Sequence, residues 1–218
     1  MSDRASELKS ALDSVEREIA PFQPELIVVT KTYPISDVEI LHSFGVRNFG
    51  ENRNEEGLEK SAAVVARWHF QGEIQSKKLR SILSWADVIH SLDSEEHAQK
   101  IDRILNESNS TKELFIQLSL DGDPGRGGVV EEGLFQLTDS ISQLQNLNIL
   151  GIMCVPPVAM EPTRAYGEIS RVHHRFRERY PESPYLSAGM SNDYLLALEH
   201  GATHIRVGSK ILGARQYR

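Results

Sequence analysis

Lys31 stands alone at the end of an apolar run, Leu26-Ile27-Val28-Val29-Thr30-Lys31-Thr32-Tyr33-Pro34, and that setting gives its amine chemistry to do. Such a run suits a buried parallel strand, and Pro34 ends the pairing. At a half-buried strand end, desolvation lowers the pKa of an ammonium and frees part of it as a nucleophile. Amines of that kind form Schiff bases with aldehydes. A lysine that merely snorkels out of the strand is the competing reading. A second set of residues points to an anion. Gly189-Met190-Ser191-Asn192 is a glycine turn opening a helix, with Ser191 placed as cap and hydroxyl donor, and Gly208-Ser209 opens the last helical turn. Two adjacent helix starts with unpaired N–H groups suit a phosphate dianion, and glycine lets the backbone come close. Ordinary strand-to-helix turns with serine caps are the alternative.

Arg206 alternates with Ile205 and Val207, so its side chain takes the opposite face from theirs. It could aim a guanidinium at a bound ligand or form a structural ion pair. Arg126, in the glycine-rich stretch 121–128, could reach a ligand oxygen or remain a solvated loop arginine. His69 ends a strand and could line a pocket, whereas His173 and His174 fall on a charged helix and read as surface residues. Cys154 follows an apolar strand and reads as core rather than nucleophile. Lys77-Lys78-Leu79-Arg80 reads as a solvated helix face. No histidine or cysteine set has metal-ligand spacing, and neither a G-x-S-x-G elbow nor a Walker A pattern occurs, so no metal site is expected.

The elements that must position these groups alternate along the chain. Leu8, Leu12, Val15 and Ile19 share a helix face, giving a leading helix within residues 1–20. Strands are expected at 25–30, 46–49, 67–70, 87–90, 114–118, 149–153, 185–188 and 204–207. Helices are expected after Pro34, where Ser36 and Glu39 have capping-box spacing and Gly45 is a stop, and then at 54–65, 76–84, 94–106, 131–144, 162–180 and 192–200. Eight strands, each followed by a helix or helical turn, imply an α/β fold with a closed parallel barrel, a single (β/α)8 TIM barrel with an extra N-terminal helix. An open doubly wound sheet would more naturally carry a G-x-G-x-x-G turn where Lys31 stands. Lys31, Gly50-Glu51-Asn52, Gln71-Gly72, 121–128, Gly189 to Asn192 and Gly208-Ser209 all fall at the carboxyl ends of strands, the rim where barrels place their chemistry.

At 218 residues the chain can bury a substantial core, and no linker or low-complexity tract divides it, so residues 1–218 read as one domain. The net charge of −7 gives no support to nonspecific nucleic-acid or membrane-surface binding. A single cysteine suits a reducing cytoplasm. No apolar run is long enough to span a bilayer, and the N-terminus leads into an amphipathic pattern rather than a signal peptide.

Several blocks, in order, resemble the pyridoxal-phosphate (PLP) homeostasis protein family: Val29-Thr30-Lys31-Thr32, Phe49-Gly50-Glu51-Asn52, Trp68-His69-Phe70-Gln71-Gly72 with Gln75-Ser76-Lys77-Lys78, Gly151-Ile152-Met153, Leu186 to Ser191, and Arg206 to Arg215. That family is similar to the barrel domain of alanine racemase. The resemblance implies PLP at the barrel mouth, with Lys31 carrying it as a Schiff base. Ser191 and the backbone of Met190, Gly208 and Ser209 would then hold the phosphate. It also implies Arg206 near the pyridine nitrogen, Asn52 and His69 lining the pocket, and Arg126 near the phenolic oxygen. Departures are Tyr33 after the lysine, Lys77 where asparagine is common, and Ala188 in place of a residue that is often bulkier.

The expected role is a cytoplasmic PLP-binding protein of vitamin B6 homeostasis and amino-acid balance, without substantial turnover. It would be a monomer, with apo forms of PLP-dependent enzymes as possible partners. An arginine against the ring nitrogen would weaken PLP as an electron sink, and the tyrosine-bearing β domain of racemases would have no counterpart in a chain ending at Arg218. The alternatives are an amino-acid racemase of the same barrel type, a cofactor-free Schiff-base aldolase, and an interaction protein with a vestigial site.

Overall fold

The structure is a computed structural model describing residues 3–214, so the landmark Arg215 lies outside the described residues. Eight strands pair in parallel and in chain order, and the first closes on the last. They are β1 (Glu25–Val29), β2 (Asn48–Glu51), β3 (Arg67–Phe70), β4 (Val88–Leu92), β5 (Lys112–Leu118), β6 (Leu147–Cys154), β7 (Tyr185–Met190) and β8 (His204–Val207). The helices are α1 (Asp3–Ile19), α2 (Ile35–Ser43), α3 (Asn54–Ala63), α4 (Leu79–Trp85), α5 (Glu95–Glu107), α6 (Glu131–Ile141), α7 (Pro162–Arg179), α8 (Tyr194–Glu199) and α9 (Ser209–Leu212).

The two faces of each strand bury different things, as alternation requires. Val28, Phe49, Trp68, Ile89, Ile116, Ile152 and Ile205 join the core shared with the helices. Val88, Phe115, Leu150 and Met153 form a smaller cluster of their own, the apolar filling of the barrel.

The leading helix has a structural reason to exist. Among the described residues, β8 is followed by the four-residue α9, about 6 Å long, too short to cover the outer face where β8 meets β1. Leu8, Leu12, Val15 and Ile19 of α1 are all buried, in the cluster that also holds Val28, Ile205 and Val207. Arg4 ties α1 to both neighbours, donating to Asp37 of α2 at 2.6 Å and to the carbonyl of Leu212 at 2.9 Å. Tyr194 at the start of α8 donates to Glu18.

Three sequence expectations are corrected. Pro34, not Ser36, is the N-cap of α2 and makes no side-chain capping bond; Ser36 lies inside the first turn, so the capping-box spacing is idle. Pro34 sets the entry instead, with an extended ψ of 160°. The stretch from Ser76 begins as a 3₁₀ turn over Ser76–Lys78 before α4. His173 is not a surface residue: it is 4% exposed, and its Nε2 is 3.0 Å from the carbonyl oxygen of Pro184. His174 is exposed as expected. Lys78 and Arg80 pair with Glu55 and Glu107 on the surface, in keeping with a solvated face.

Because α1 completes the outer layer with apolar contacts, Leu12→Ala should lower the free energy of unfolding by about 2–5 kcal/mol. Urea denaturation measures it, and a loss well under 1 kcal/mol would show that α1 is dispensable to the barrel.

Candidate functional site

Lys31 is the second residue past the end of β1, half-buried and in a turn. The next residue, Thr32, has φ +72°, a left-handed conformation that costs a β-branched residue about 1–3 kcal/mol. Its amide donates to Glu56 Oε2 at 2.6 Å, and the hydroxyl of Tyr33 donates to the carbonyl of Gly213 at 2.6 Å. The lysine therefore sits on a backbone bent into an unfavourable shape and tied down on both sides.

Closure makes β8 the neighbour of β1, so the corner formed by the ends of β7 and β8 lies beside Lys31. Gly189, at φ +94°, permits that corner: a Cβ would stand 2.9 Å from the Cα of Tyr194 and 2.7 Å from the Cβ of Ala197. Ser191 does not cap the helix that follows it. The N-cap of α8 is Asp193, and Ser191 Oγ instead accepts from the amides of Gly208 at 3.1 Å and Lys210 at 3.3 Å, joining the corner to α9. The Met190 amide donates to Asp193 Oδ1 at 2.6 Å. The amides of Met190 and Gly208 are thus not unpaired, as the sequence suggested. Side-chain oxygens satisfy them, and an arriving phosphate would share or replace those oxygens. Ser209 is exposed as the first residue of α9.

Arg206 points into the barrel and is 5% exposed. Its Nη1 donates to Ser187 O at 2.8 Å and to Ser187 Oγ at 2.7 Å, and its Nη2 donates to Cys154 O at 3.1 Å. These partners are neutral, so the structural ion pair is not what holds it. Burial lowers its pKa, but a guanidinium keeps its proton, leaving a fixed positive charge under the mouth.

Behind Arg206 runs a chain of hydrogen bonds that fixes every proton in it. Ser187 Oγ is 2.9 Å from His90 Nδ1, His90 Nε2 is 2.9 Å from His69 Nδ1, and His69 Nε2 is 3.1 Å from Asn48 Oδ1. The amide oxygen of Asn48 only accepts, so His69 donates from Nε2 and accepts at Nδ1. His90 must then donate from Nε2 and accept at Nδ1, and the Ser187 hydroxyl donates to it. Arg206, which only donates, closes the sequence at Ser187. Burial is the first cause that holds both imidazoles well below the usual histidine pKa, with the Arg67 and His204 charges adding to it; His69 and Arg206 act further on His90. His69 thus has both ring nitrogens occupied by protein and supports Arg206 from beneath.

Asn52 follows β2, half-buried, and its carbonyl oxygen lies where a Cβ on Gly72 would be, only 2.0 Å away. Only glycine fits there. Across the opening from Lys31, the ends of β3 to β6 enclose a cavity of about 680 Å³ lined by Gln71, Asp93, Gln117, Arg126 and Met153 among others. The stretch 121–128 covers it, tethered by Gly128 N to Asp93 and by Gln117 to the Arg126 carbonyl. Arg126 is no solvated loop residue: it pairs with Asp121 and donates to the carbonyls of Val155 and Pro156. Gln71 Nε2 is buried in this opening with no partner, a donor suited to a ligand oxygen. Cys154 is buried, and desolvation pushes its thiol up to about 12. Among the described residues no group of three or more histidine, cysteine, aspartate or glutamate side chains could hold a metal, and no helix is long and apolar enough to cross a membrane.

Sequence reasoning passed over Ser187, His90 and Asp193. A signal for the first two was present: His69, His90, Ser187 and Arg206 alternate with the apolar Trp68, Ile89, Leu186 and Ile205, which puts all four on the inward parity.

The proton assignment sets a pH dependence. His69 and His90 stay neutral in the folded chain but protonate near pH 6.5 when unfolded, so the unfolded state binds more protons and stability falls as pH drops below that value. His204 and His173, each lowered to about 4 chiefly by burial, extend the loss down to about pH 4. Each buried imidazole contributes up to about 1.4 kcal/mol per pH unit in that window. Urea midpoints should fall below about pH 6.5, and nitrogen NMR should find both His69 and His90 as neutral Nε2–H tautomers. An imidazolium signal from either near neutral pH would contradict the wiring.

The alanine racemase N-terminal domain family matches residues 5–216. The pyridoxal phosphate homeostasis protein of Corynebacterium glutamicum is 42% identical over 198 residues, covering 87% of this chain and 90% of that one. Its namesake from Aquifex aeolicus is 32% identical, with 88% of each covered. Among solved structures, PipY of Synechococcus elongatus with PLP bound superposes with a TM-score of 0.86 at 31% identity, covering 94% of this chain and all of that one. An alanine racemase of Clostridium difficile shares the fold, with a TM-score of 0.82 at 14% identity over 97% of this chain and 58% of the racemase. With relatives this similar over most of its length, the chain belongs to the pyridoxal phosphate homeostasis protein family, built on the alanine racemase N-terminal domain.

Proposed function

We propose that the chain binds PLP at the barrel mouth, held as a Schiff base on Lys31, and serves vitamin B6 homeostasis and amino-acid balance as a carrier or buffer rather than by rapid turnover. The observation that carries this reading is the placement of an amine-bearing turn beside an anion-suited corner on neighbouring strands, in a chain similar over nearly its whole length to PipY, which was solved with PLP bound. The residues fit the group in kind. Ser191 brings a hydroxyl to the corner, the amides of Met190 and Gly208 donate to side-chain oxygens of Asp193 and Ser191 there, and Gln71 Nε2 is a buried donor suited to an oxygen.

When bound, PLP supplies an aldehyde that condenses with amines and a ring that can draw electrons from them. Lys31 supplies the amine. Ser191, with the backbone of Met190, Gly208 and Ser209, would hold the phosphate by N–H and O–H donation, taking the Met190 and Gly208 amides from Asp193 and Ser191. Arg206, a fixed cation under the mouth, would disfavour a proton on the ring nitrogen if that atom lay near it, weakening the electron sink that racemases and transaminases exploit. That weakening favours storage over turnover. Asn52 lines the opening, and His69 acts through Arg206. We read the chain as one cytoplasmic, monomeric unit that exchanges PLP with apo forms of PLP-dependent enzymes.

Borohydride reduction of protein incubated with PLP, followed by peptide mass spectrometry, should place a phosphopyridoxyl group on Lys31, and Lys31→Ala should abolish it. Ser191→Ala should weaken PLP retention by about 1.5–3 kcal/mol, the worth of one charge-assisted hydrogen bond. An adduct spread over surface lysines, or an unchanged affinity in Ser191→Ala, would overturn the assignment. Steady racemisation of an L-amino acid at ordinary enzyme rates would replace the carrier reading with the racemase one.

A further inference from the structure

Lys60, on α3 outside the barrel, is a charged side chain only 4% exposed. Its three N–H donors meet three oxygens: Thr30 O at 2.7 Å, Glu51 Oε1 at 2.6 Å and Glu56 Oε2 at 3.2 Å. Each of those acceptors leads to a residue flanking Lys31. Thr30 O is the backbone just before it. Glu51 Oε1 also accepts from the Thr30 hydroxyl at 2.6 Å. Glu56 Oε2 accepts the amide of Thr32, the residue just after it, which is held at φ +72°. One buried ammonium therefore anchors the chain on both sides of the candidate nucleophile, at the point where the backbone is strained.

We propose that the Lys60–Glu51–Glu56 cluster is a clamp that positions Lys31, holding Thr30 and Thr32 so that the Lys31 side chain leaves the backbone towards the mouth. Its bearing on cofactor capture rests on the PLP reading above; the clamp itself does not. The chemistry of the cluster suits a fixed support. Burial raises the pKa of Glu51, opposed by Lys60 and Thr30. Burial also works against the charge of Glu56, but the Thr32 amide, Lys60 and Arg53 outweigh it and the pKa falls. A left-handed threonine relaxes unless something holds it, and Glu56 is the group that does so, itself held by Lys60.

Removing Lys60 alone would strand buried carboxylates, so two gentler variants carry the test. Glu56→Ala releases the Thr32 amide and leaves the Lys60–Glu51 pair in place. Lys60→Met with Glu51→Leu removes the whole buried pair and leaves no charge unpartnered. In each, Lys31 is followed in two ways: the rate of borohydride-trapped PLP capture, and in cofactor-free protein its rate of modification by an amine-selective reagent, read by peptide mass spectrometry. Both rates should change by about tenfold, with thermal unfolding still cooperative. Adding Thr32→Gly to Glu56→Ala should bring both rates back to within about threefold of the native protein, because glycine takes positive φ without strain. Unchanged rates in both variants, or a loss that Thr32→Gly does not restore, overturns the clamp. If the native protein traps no PLP on Lys31 while the reagent rates respond as stated, the PLP reading fails and the clamp stands.

Discussion

The pairing of β1 with β8 joins the two ends of the sequence, and the rim chemistry depends on it. Glu25 with His204, Leu26 with Ile205, Ile27 with Arg206 and Val28 with Val207 form one parallel ladder. The register puts Arg206 within the barrel two residues before Gly208, and brings Gly208 against the carbonyl of Val29, 3.1 Å from where its Cβ would be. A slip of one residue would turn Lys31 and Arg206 to opposite faces and separate the amine from the anion corner. Register is protected by what each face buries: Val28, Ile205 and Val207 outward against the helices, Arg206 inward against Ser187. The short α9 leaves that ladder thinly covered, and α1 closes over it, so the first helix in the chain protects the last strand.

Inside the barrel the polar residues stand in one connected line, against a filling of Val88, Phe115, Leu150 and Met153. His90 stacks on Phe115 with ring centroids 4.6 Å apart, which fixes the plane of the imidazole that receives the Ser187 hydroxyl. A buried network is worth its desolvation only when every member is satisfied, and here each proton has one acceptor. The arrangement converts an isolated buried cation, which would be costly, into the terminus of an ordered set of dipoles all pointing away from it. Arg206 cannot shift without breaking Ser187, nor Ser187 without disturbing His90, so the position of the charge is set from the far end of the barrel.

Much of this was legible in the sequence because it depends on local pattern. Periodicity found the strands, since parallel strands buried on both faces are continuous apolar runs, and β3 and β8 match the structure residue for residue. Gly45 marked a helix end, with φ of +104°. What was not legible depends on partners far away in the chain. Ser36 and Glu39 have the right spacing for a cap, but Pro34 had already set the start of the helix. Ser191 follows a glycine turn as a cap would, yet the nearest orphan amides are those of Gly208 and Lys210, 17 and 19 residues on. His173 sits among charged neighbours, but helix rotation buries it against Pro184. Arg126 read as loose because its carbonyl partners, Val155 and Pro156, are about 30 residues away.

The same distinction separates binding from presentation at the rim. Residues that would touch a ligand, such as Lys31, Ser191 and Gly208, lie in turns, where short motifs reveal them. Residues that aim those groups lie on strands and helices away from the rim: His90 and His69 inside the barrel below Arg206, Glu51 and Lys60 outside the barrel behind Lys31. Barrels place variable chemistry in their loops and stability in their bodies. In this chain the body carries a further duty, since a threonine held in a left-handed turn and an arginine held without a carboxylate both require support from outside the mouth. The cost of those two conformations is borne by buried polar contacts in the barrel and in the barrel–helix layer. A backbone fixed in this way would spare Lys31 part of the ordering cost of bonding to an aldehyde, the remainder being the freedom of its own side chain.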